Sequence, residues 1–184
     1  MTDNEIVLRI IEDEGGDKFT FNPADPGGAT KFGITIPALT DLWKSLGVDH
    51  DPTADDIQAL THEGAVSYYL WSLKASKIGQ IINPMVRYVV FDAAVHMGVK
   101  QAVRLLQRAL SVDDDGVLGP VTLAATPYLN SDKLCRLFAV EQMLFYGRLA
   151  AKNLTDADKD GTPDQLEFLP GYLNRLARKM RALA

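Results

Sequence analysis

Glu14 is the residue whose type and position most directly suggest chemistry. The pattern from Thr2 to Glu14 predicts an amphipathic helix, which begins with a capping box formed by Thr2 and Glu5 and ends at two glycines. Three consecutive acids therefore occupy the last turn of this helix. The partial negative charge at the carboxyl end of a helix repels carboxylates, so helix stability does not explain an acid at this position.

The helical periodicity also directs Glu14 towards the protein interior. At about 100° per residue, Glu14 lies near the middle of an apolar arc, whereas Glu12 and Asp13 point to the polar side. The arc consists of Ile6, Val7, Ile10 and Ile11. Desolvation, the helix end and the two neighbouring acids all disfavour the ionised form of Glu14, as suits a general acid. The alternative is that Glu14 points into solvent where the helix end frays.

The segment that follows this helix has the composition of turns. Residues 17–35 are dense in Gly, Pro, Asn and Asp, which favour turns over regular structure. We expect the extended residues of the chain to lie only here. Such a loop can place polar side chains opposite the end of the preceding helix, where Glu14 lies.

The sequence EGGDKFTFNPADPGGATKFGIT, residues 14–35, resembles the signature of the glycoside hydrolase family 108 muramidases, found in bacteriophage endolysins and lysozyme-like secreted bacterial enzymes. The resemblance continues through residues 69–71, 91–98 and 106–110, and residues 115–122 resemble the peptidoglycan-binding half of those proteins. It implies a mainly α, lysozyme-like helical fold with a small loop or β-hairpin region at the active site. The chain departs from the family pattern at Asp17, where an aromatic residue is usual, and at residues 21–23, where the family has Asn-Asp-Pro.

This resemblance implies roles for individual residues. Glu14 is the catalytic acid that protonates the leaving oxygen of a glycosidic bond. Asp25 would be the second carboxyl, although an Asx turn is its alternative role. Thr30 would hold the attacking water or, alternatively, bond to the loop backbone. Tyr69 and Trp71 are candidates for binding sugar rings, although helical aromatic residues more often fill cores.

The rest of the chain has helical periodicity nearly throughout. The predicted helices cover residues 36–46, 53–71, 84–95, 99–110, 120–125, 132–152 and 166–183. We expect a lysozyme-like catalytic region at 1–95 and a helical, peptidoglycan-binding-like region at 96–184 packed on it. The helix that begins at Pro84 is strongly apolar, which predicts burial on most of its sides.

Residues 156–167 have the spacing of an EF-hand calcium loop, with acids at loop positions 1, 3, 5, 9 and 12 and glycine at position 6. Helices are predicted on both sides, as this loop requires. The predicted Ca²⁺ ligands are Asp156, Asp158, Asp160, Thr162, Asp164 and Glu167. Pro163 departs from the usual pattern, so we expect a solitary, structural site that holds the last two helices together. The alternative is a solvated acidic turn.

Charge and hydropathy restrict the partners and the location. The net charge of −5 argues against non-specific binding to nucleic acid. Four basic residues on the last helix suit its carboxyl end, or alternatively make weak contact with an anionic wall or membrane. They are Arg175, Arg178, Lys179 and Arg181. Without a membrane span or signal-peptide pattern, we expect synthesis in the cytoplasm and release to the wall by a holin or a dedicated secretion system.

These observations predict a monomeric N-acetylmuramidase, most consistent with a phage endolysin, that cleaves the β-1,4 bond between N-acetylmuramic acid and N-acetylglucosamine. One alternative is a lytic transglycosylase that uses Glu14 alone and forms a 1,6-anhydro sugar. Another is a non-catalytic, calcium-stabilised wall-binding protein, with residues 115–122 as the binding motif.

Overall fold

A computed structural model describes residues 1–21, 28–156 and 164–182, and the chain forms two compact units, Met1–Gln80 and Ile81–Ala184. The described residues are mainly helical, with a small antiparallel sheet of three strands. The predicted fold class is therefore confirmed. The predicted functional division at residue 95 remains a prediction, because a compact unit need not coincide with a functional region.

The first unit combines short helices with the sheet. Its described elements are α1 (Asp3–Asp13), β1 (Thr20–Phe21), β2 (Ala29–Lys31), β3 (Ile34–Thr35), α2 (Ile36–Ser45), α3 (Ala54–Ala59), α4 (His62–Ala75) and a 3-10 turn (Ile78–Gln80). The whole apolar arc predicted on α1 is buried, and α1 packs against α4. Burial of this arc orients α1, and so fixes the direction in which its last residues point.

Local capping sets the helix boundaries in this unit. The predicted capping box of α1 is present, since the Thr2 N–H donates to Glu5 Oε2 at 2.7 Å and the Glu5 N–H to Thr2 Oγ1 at 3.3 Å. The prediction of one helix from residue 53 to 71 is wrong, because the chain breaks between α3 and α4. Thr61 caps the second helix by accepting a hydrogen bond from the Gly64 N–H at 3.1 Å.

The sheet is a short meander. Thr20 pairs with Thr30 between β1 and β2, and Lys31 pairs with Ile34 between β2 and β3. A turn of two residues, 32 and 33, joins β2 to β3. Their φ angles are 55° and 74°, and the type I′ hairpin turn requires a positive φ at both positions.

The second unit is a helical assembly. Its described elements are α5 (Pro84–Met97), α6 (Val99–Leu110), α7 (Pro120–Ala125), a 3-10 turn (Thr126–Tyr128), α8 (Ser131–Asp156) and α9 (Asp164–Ala182). Helices α6 and α8 both pack against α5, and α9 packs against α8. Eight residues of α5 are buried, which agrees with its apolar sequence.

A buried ion pair joins α5 to α9. Asp92 is 1% exposed and accepts hydrogen bonds from Arg175 Nη2 at 2.6 Å and Nε at 3.2 Å. A buried carboxylate needs such a partner, because burial removes its hydration. Arg175 therefore serves this internal pair. The predicted surface role of the basic helix would depend on its other cations, and it remains a prediction.

Most of the predicted calcium loop lies outside the described residues. Helix α8 ends at Asp156 and α9 begins at Asp164, so the described helices flank the loop sequence on both sides. Within the described ranges, no three His, Cys, Asp or Glu side chains come together as metal ligands. None of the helices described is both long and apolar enough to span a membrane. The calcium site stays a prediction from sequence.

Candidate active site

The end of α1 is closed by a Schellman motif that leaves Glu14 as the helix C-cap. The Gly15 N–H donates to the Glu12 carbonyl at 3.2 Å, and the Gly16 N–H donates to the Ile11 carbonyl at 3.0 Å. Gly15 has a φ of 91°, a left-handed conformation in which a side chain would be strained. The chain therefore turns away directly after Glu14, whose side chain is half-buried at the helix end.

The hairpin turn lies directly on the Glu14 side chain. The Phe32 N–H donates to the Gly16 carbonyl at 3.1 Å, which joins the turn to the loop that follows α1. A Cβ atom built on Gly33 would lie 2.7 Å from Glu14 Cγ and 2.8 Å from Glu14 Cβ. No real Cβ tolerates such distances, so the approach of the backbone to Glu14 requires glycine at position 33.

Tyr69 reaches the same turn from α4. Its hydroxyl donates to the Phe32 carbonyl at 2.9 Å, and its side chain is only 1% exposed. Of the two roles considered for Tyr69, sugar binding and core packing, its burial agrees with core packing, because an enclosed ring presents no face on which a sugar could stack. The structure instead places its hydroxyl at the hairpin turn, where a Cβ on Gly33 would meet both this hydroxyl and the Glu14 side chain.

Two other aromatic side chains lie next to Tyr69 on α4. The rings of Tyr68 and Tyr69 are 5.1 Å apart, and those of Tyr68 and Trp71 are 5.9 Å apart. Burial raises the pKa of Tyr68 to about 12, with a smaller contribution from the negative charge of Asp41. Trp71 is half-buried, which leaves part of its ring open.

The structure describes one of the two residues, Asp25 and Thr30, that are predicted to act with Glu14. Thr30 lies in the middle strand, half-buried, and pairs with Thr20 on one side and Thr35 on the other. It belongs to the same hairpin whose turn contacts Glu14, so Glu14 and the Thr30 strand are held in one small assembly. Asp25 lies outside the described residues, and its role remains a prediction.

A cleft of about 600 Å³ adjoins the turn. Its lining includes both apolar and polar residues: Ile11, Glu12, Gly16, Asp17, Lys31, Phe32, Ala59, Leu60, Thr61 and His62. Sequence reasoning missed Lys31, Phe32 and His62 as parts of this region. The alternation of the hairpin could have drawn attention to Lys31, but α3 and α4 bring in the other wall from far along the chain.

Lys31 supports the cleft from one side. Its Nζ donates to the Gln58 carbonyl at 2.8 Å and to the Leu60 carbonyl at 2.7 Å. These carbonyls lie at the carboxyl end of α3, where a cation is favourable. The ammonium group is therefore engaged with the backbone, and it joins the hairpin to α3.

In the second unit, the motif at residues 115–122 folds around a buried glutamine. Gln107, 2% exposed, donates through Nε2 to Asp115 Oδ1 at 2.7 Å and to Thr122 Oγ1 at 3.1 Å. Its Oε1 accepts from the Gly116 N–H at 2.8 Å. The Val117 N–H, followed by the Gln107 amide, lowers the pKa of Asp115 by bonding its carboxylate. These polar groups hold the loop together.

Two family models match successive parts of the chain. A family model described as Glycosyl hydrolase 108 matches residues 7–98, half of the chain, and a model described as Predicted Peptidoglycan domain matches residues 101–177. Among solved structures, SagA of Brucella abortus is similar, with 26% identity and a TM-score of 0.74 over 98% of this chain and 92% of that one. No curated protein matches the sequence.

Proposed function

Because this chain belongs to the glycosyl hydrolase 108 family, we propose that it is an N-acetylmuramidase, which hydrolyses the β-1,4 bond between N-acetylmuramic acid and N-acetylglucosamine. The chain is a glycoside hydrolase by family, and its peptidoglycan domain supports peptidoglycan as the substrate. The observation that carries the proposal is the half-buried side chain of Glu14 at the end of α1, whose aliphatic part lies against the hairpin turn. The alternative of a non-catalytic wall-binding protein is not retained, because the family is one of hydrolases.

In the proposed reaction, Glu14 donates a proton to the oxygen of the glycosidic bond while that bond breaks. The leaving sugar departs as an alcohol, and water or a carboxylate attacks the positive anomeric carbon. We assign Thr30 to hold the water, which is supported by its place on the hairpin that contacts Glu14. Asp25 is proposed as the second carboxyl from the sequence.

The test is a Glu14→Gln variant, which keeps the size of the side chain and removes its acid. General acid catalysis contributes about 10²- to 10⁴-fold, and we expect a loss of that size in the release of reducing ends from purified sacculi. Asp13→Asn removes a charge from the same helix turn and should keep activity within about threefold of the wild type. A Glu14→Gln protein as active as the wild type would refute the role of Glu14.

The product identifies the reaction. A muramidase leaves a reducing N-acetylmuramic acid end, because water completes the reaction, whereas a lytic transglycosylase leaves a 1,6-anhydro sugar. We expect mass spectrometry of the wild-type digest to find reducing ends. A digest of anhydro products would instead assign the transglycosylase reaction to Glu14.

We further propose that the protein acts as a monomeric phage endolysin that reaches the cell wall with a holin or a dedicated secretion system. The resemblance of residues 14–35 to endolysin signatures supports this role. Expression in a bacterial host should cause lysis only when a holin is co-expressed, and Glu14→Gln should abolish that lysis. Lysis by the protein alone would contradict the dependence on a holin.

A further inference from the structure

We propose that Tyr69 is a positioning residue for Glu14 and acts on it through the turn formed by Phe32 and Gly33. The inference rests on the proposed function, since it assumes that Glu14 is the catalytic acid. Tyr69 and Phe32 are separated by 37 positions in the sequence, so the contact is made by the fold.

Gly33 lies close to both Glu14 and Tyr69. A Cβ atom on Gly33 would lie 2.7 Å from Glu14 Cγ and 2.8 Å from the Tyr69 hydroxyl oxygen. The aliphatic part of Glu14 and the hydroxyl of Tyr69 therefore border the same side of the Gly33 backbone. A shift of this backbone would change the space that is available to Glu14.

Phe32 has an unfavourable backbone conformation. Its φ of 55° is rare for an aromatic residue, because a side chain disfavours the left-handed region. Hydrogen bonds hold this residue at both ends: its N–H donates to the Gly16 carbonyl at 3.1 Å, and its carbonyl accepts from Tyr69 at 2.9 Å. Tyr69 therefore supplies one of the bonds that maintain a conformation the residue does not favour by itself.

The position of the Phe32–Gly33 turn affects the side-chain rotamer of Glu14. A half-buried glutamate at a helix end has several staggered rotamers available to it. Contact between Gly33 and both Glu14 Cβ and Cγ restricts that choice. A catalytic group must be held to within a fraction of an ångström, and residues that only position it can accordingly affect the rate. Tyr69 should therefore influence kcat more than KM.

The experiment is Tyr69→Phe, which removes the hydroxyl and keeps the ring. We expect kcat on soluble peptidoglycan fragments to fall about 10- to 100-fold, the effect of a small misplacement, while KM changes less than about twofold. Tyr68→Phe is the matched control, because it removes a neighbouring hydroxyl from the same helix, and it should keep kcat within about twofold. An unchanged kcat in Tyr69→Phe, or an equal loss in both variants, would overturn the inference.

Gly33→Ala tests the same inference without altering Tyr69. Its methyl group would press on Glu14, and kcat per folded molecule should fall at least as far as in Tyr69→Phe. Gly47→Ala is the control, since Gly47 also has a positive φ, of 77°, but a Cβ there would meet no atom within 4 Å. It should lower the melting temperature with kcat per folded molecule unchanged. Equal kcat losses in both alanine variants would count against the inference.

The two proposals can fail separately. If Glu14→Gln is fully active, the proposed function fails. If Glu14→Gln is inactive but Tyr69→Phe keeps its wild-type kcat, only the positioning role fails. A raised KM with unchanged kcat in Tyr69→Phe would assign Tyr69 to substrate binding and would also overturn the positioning role.

Discussion

The two units fix a glycine-containing loop in the same way, but with different results. In the first unit, the hydroxyl of buried Tyr69 holds the hairpin turn, and the carboxyl-bearing side chain of Glu14 remains half-buried beside it. In the second, the amide of buried Gln107 on α6 donates to Asp115 in the loop and to Thr122 in α7. The presence of glycines and acids in a loop sequence is therefore not enough to identify a catalytic loop. The distinguishing feature of the first unit is that its turn lies against the aliphatic part of an acid at a helix end.

The largest effect on stability should come from the ion pair of the second unit. Arg175→Ala would leave Asp92 buried without this partner, which typically costs about 3–5 kcal/mol of unfolding free energy. Urea unfolding followed by circular dichroism measures this loss. Arg181→Ala, on the exposed side of the same helix, should change the free energy by less than about 0.5 kcal/mol. If Arg175→Ala lowered the unfolding free energy by less than about 1 kcal/mol, the ion pair would not be a main source of stability in this unit.

A third loop extends the comparison, because we propose that residues 156–167 are stabilised by Ca²⁺. An ion that binds only the folded chain stabilises it by about 2.7 kcal/mol when its free concentration is 100 times Kd. Chelation should therefore lower the melting temperature in calorimetry. Asp156→Ala with Glu167→Ala should abolish this response, whereas Asp51→Ala with Asp55→Ala should retain it. An unchanged melting curve in chelator, with no heat of calcium binding, would show that this loop is a solvated acidic turn and not a calcium site.

The next largest effect should come from Gln107→Leu. This change removes both ends of the amide network and leaves the Gly116 N–H and the Thr122 hydroxyl without these partners. Unpaired buried groups cost about 1–3 kcal/mol, and we expect a loss of about 2 kcal/mol in urea unfolding. The kcat per folded molecule should remain within about twofold of the wild type. A large loss of kcat in fully folded Gln107→Leu protein would instead indicate that this loop contributes to catalysis.

The smallest effect is a pH dependence at Asp115. Its carboxylate accepts hydrogen bonds, which lower its pKa in the folded state below the ordinary value of 3.8. The bonds therefore stabilise the fold above pH 3.8, and this contribution is lost as the pH falls through the lower, folded-state pKa. The stability difference between wild type and Asp115→Asn should shrink as urea titrations move from pH 5 towards pH 3. Asp113→Asn should not show this trend, and a constant difference for Asp115→Asn would contradict the account.

The sequence predicted most helices because their signals are local. The capping box of α1, Asn83 before α5 and Gly119 before α7 are visible within a few residues, and the helices begin there. The break between α3 and α4 was missed although Thr61 is a good cap, because the apolar pattern continues across it. At such a position, the capping residue favours a helix start while the apolar periodicity favours a continuous helix. Tertiary packing determines which of the two forms.

The candidate site was predictable only in part. Glu14 could be proposed because the helix that carries it has clear ends and a clear apolar side. The contact of Tyr69 with Phe32 joins residues 37 apart, and the pair of Asp92 with Arg175 joins residues 83 apart. Such contacts depend on tertiary packing and leave no periodic signal. The sequence therefore offered Tyr69 only as a ring for sugar binding or core packing, and the hydrogen bond of its hydroxyl to Phe32 could not be predicted.

The bonds of Lys31 also have a consequence for local opening of the first unit. Helix α3 has six residues, fewer than an isolated helix needs to persist in water. Its last carbonyls accept hydrogen bonds from Lys31, so the hairpin and α3 should open and close as one cooperative segment. Native-state hydrogen exchange should therefore give the amides of β2 and α3 similar opening free energies. The wall of the cleft would then be lost in a single step, before the helices beneath it unfold.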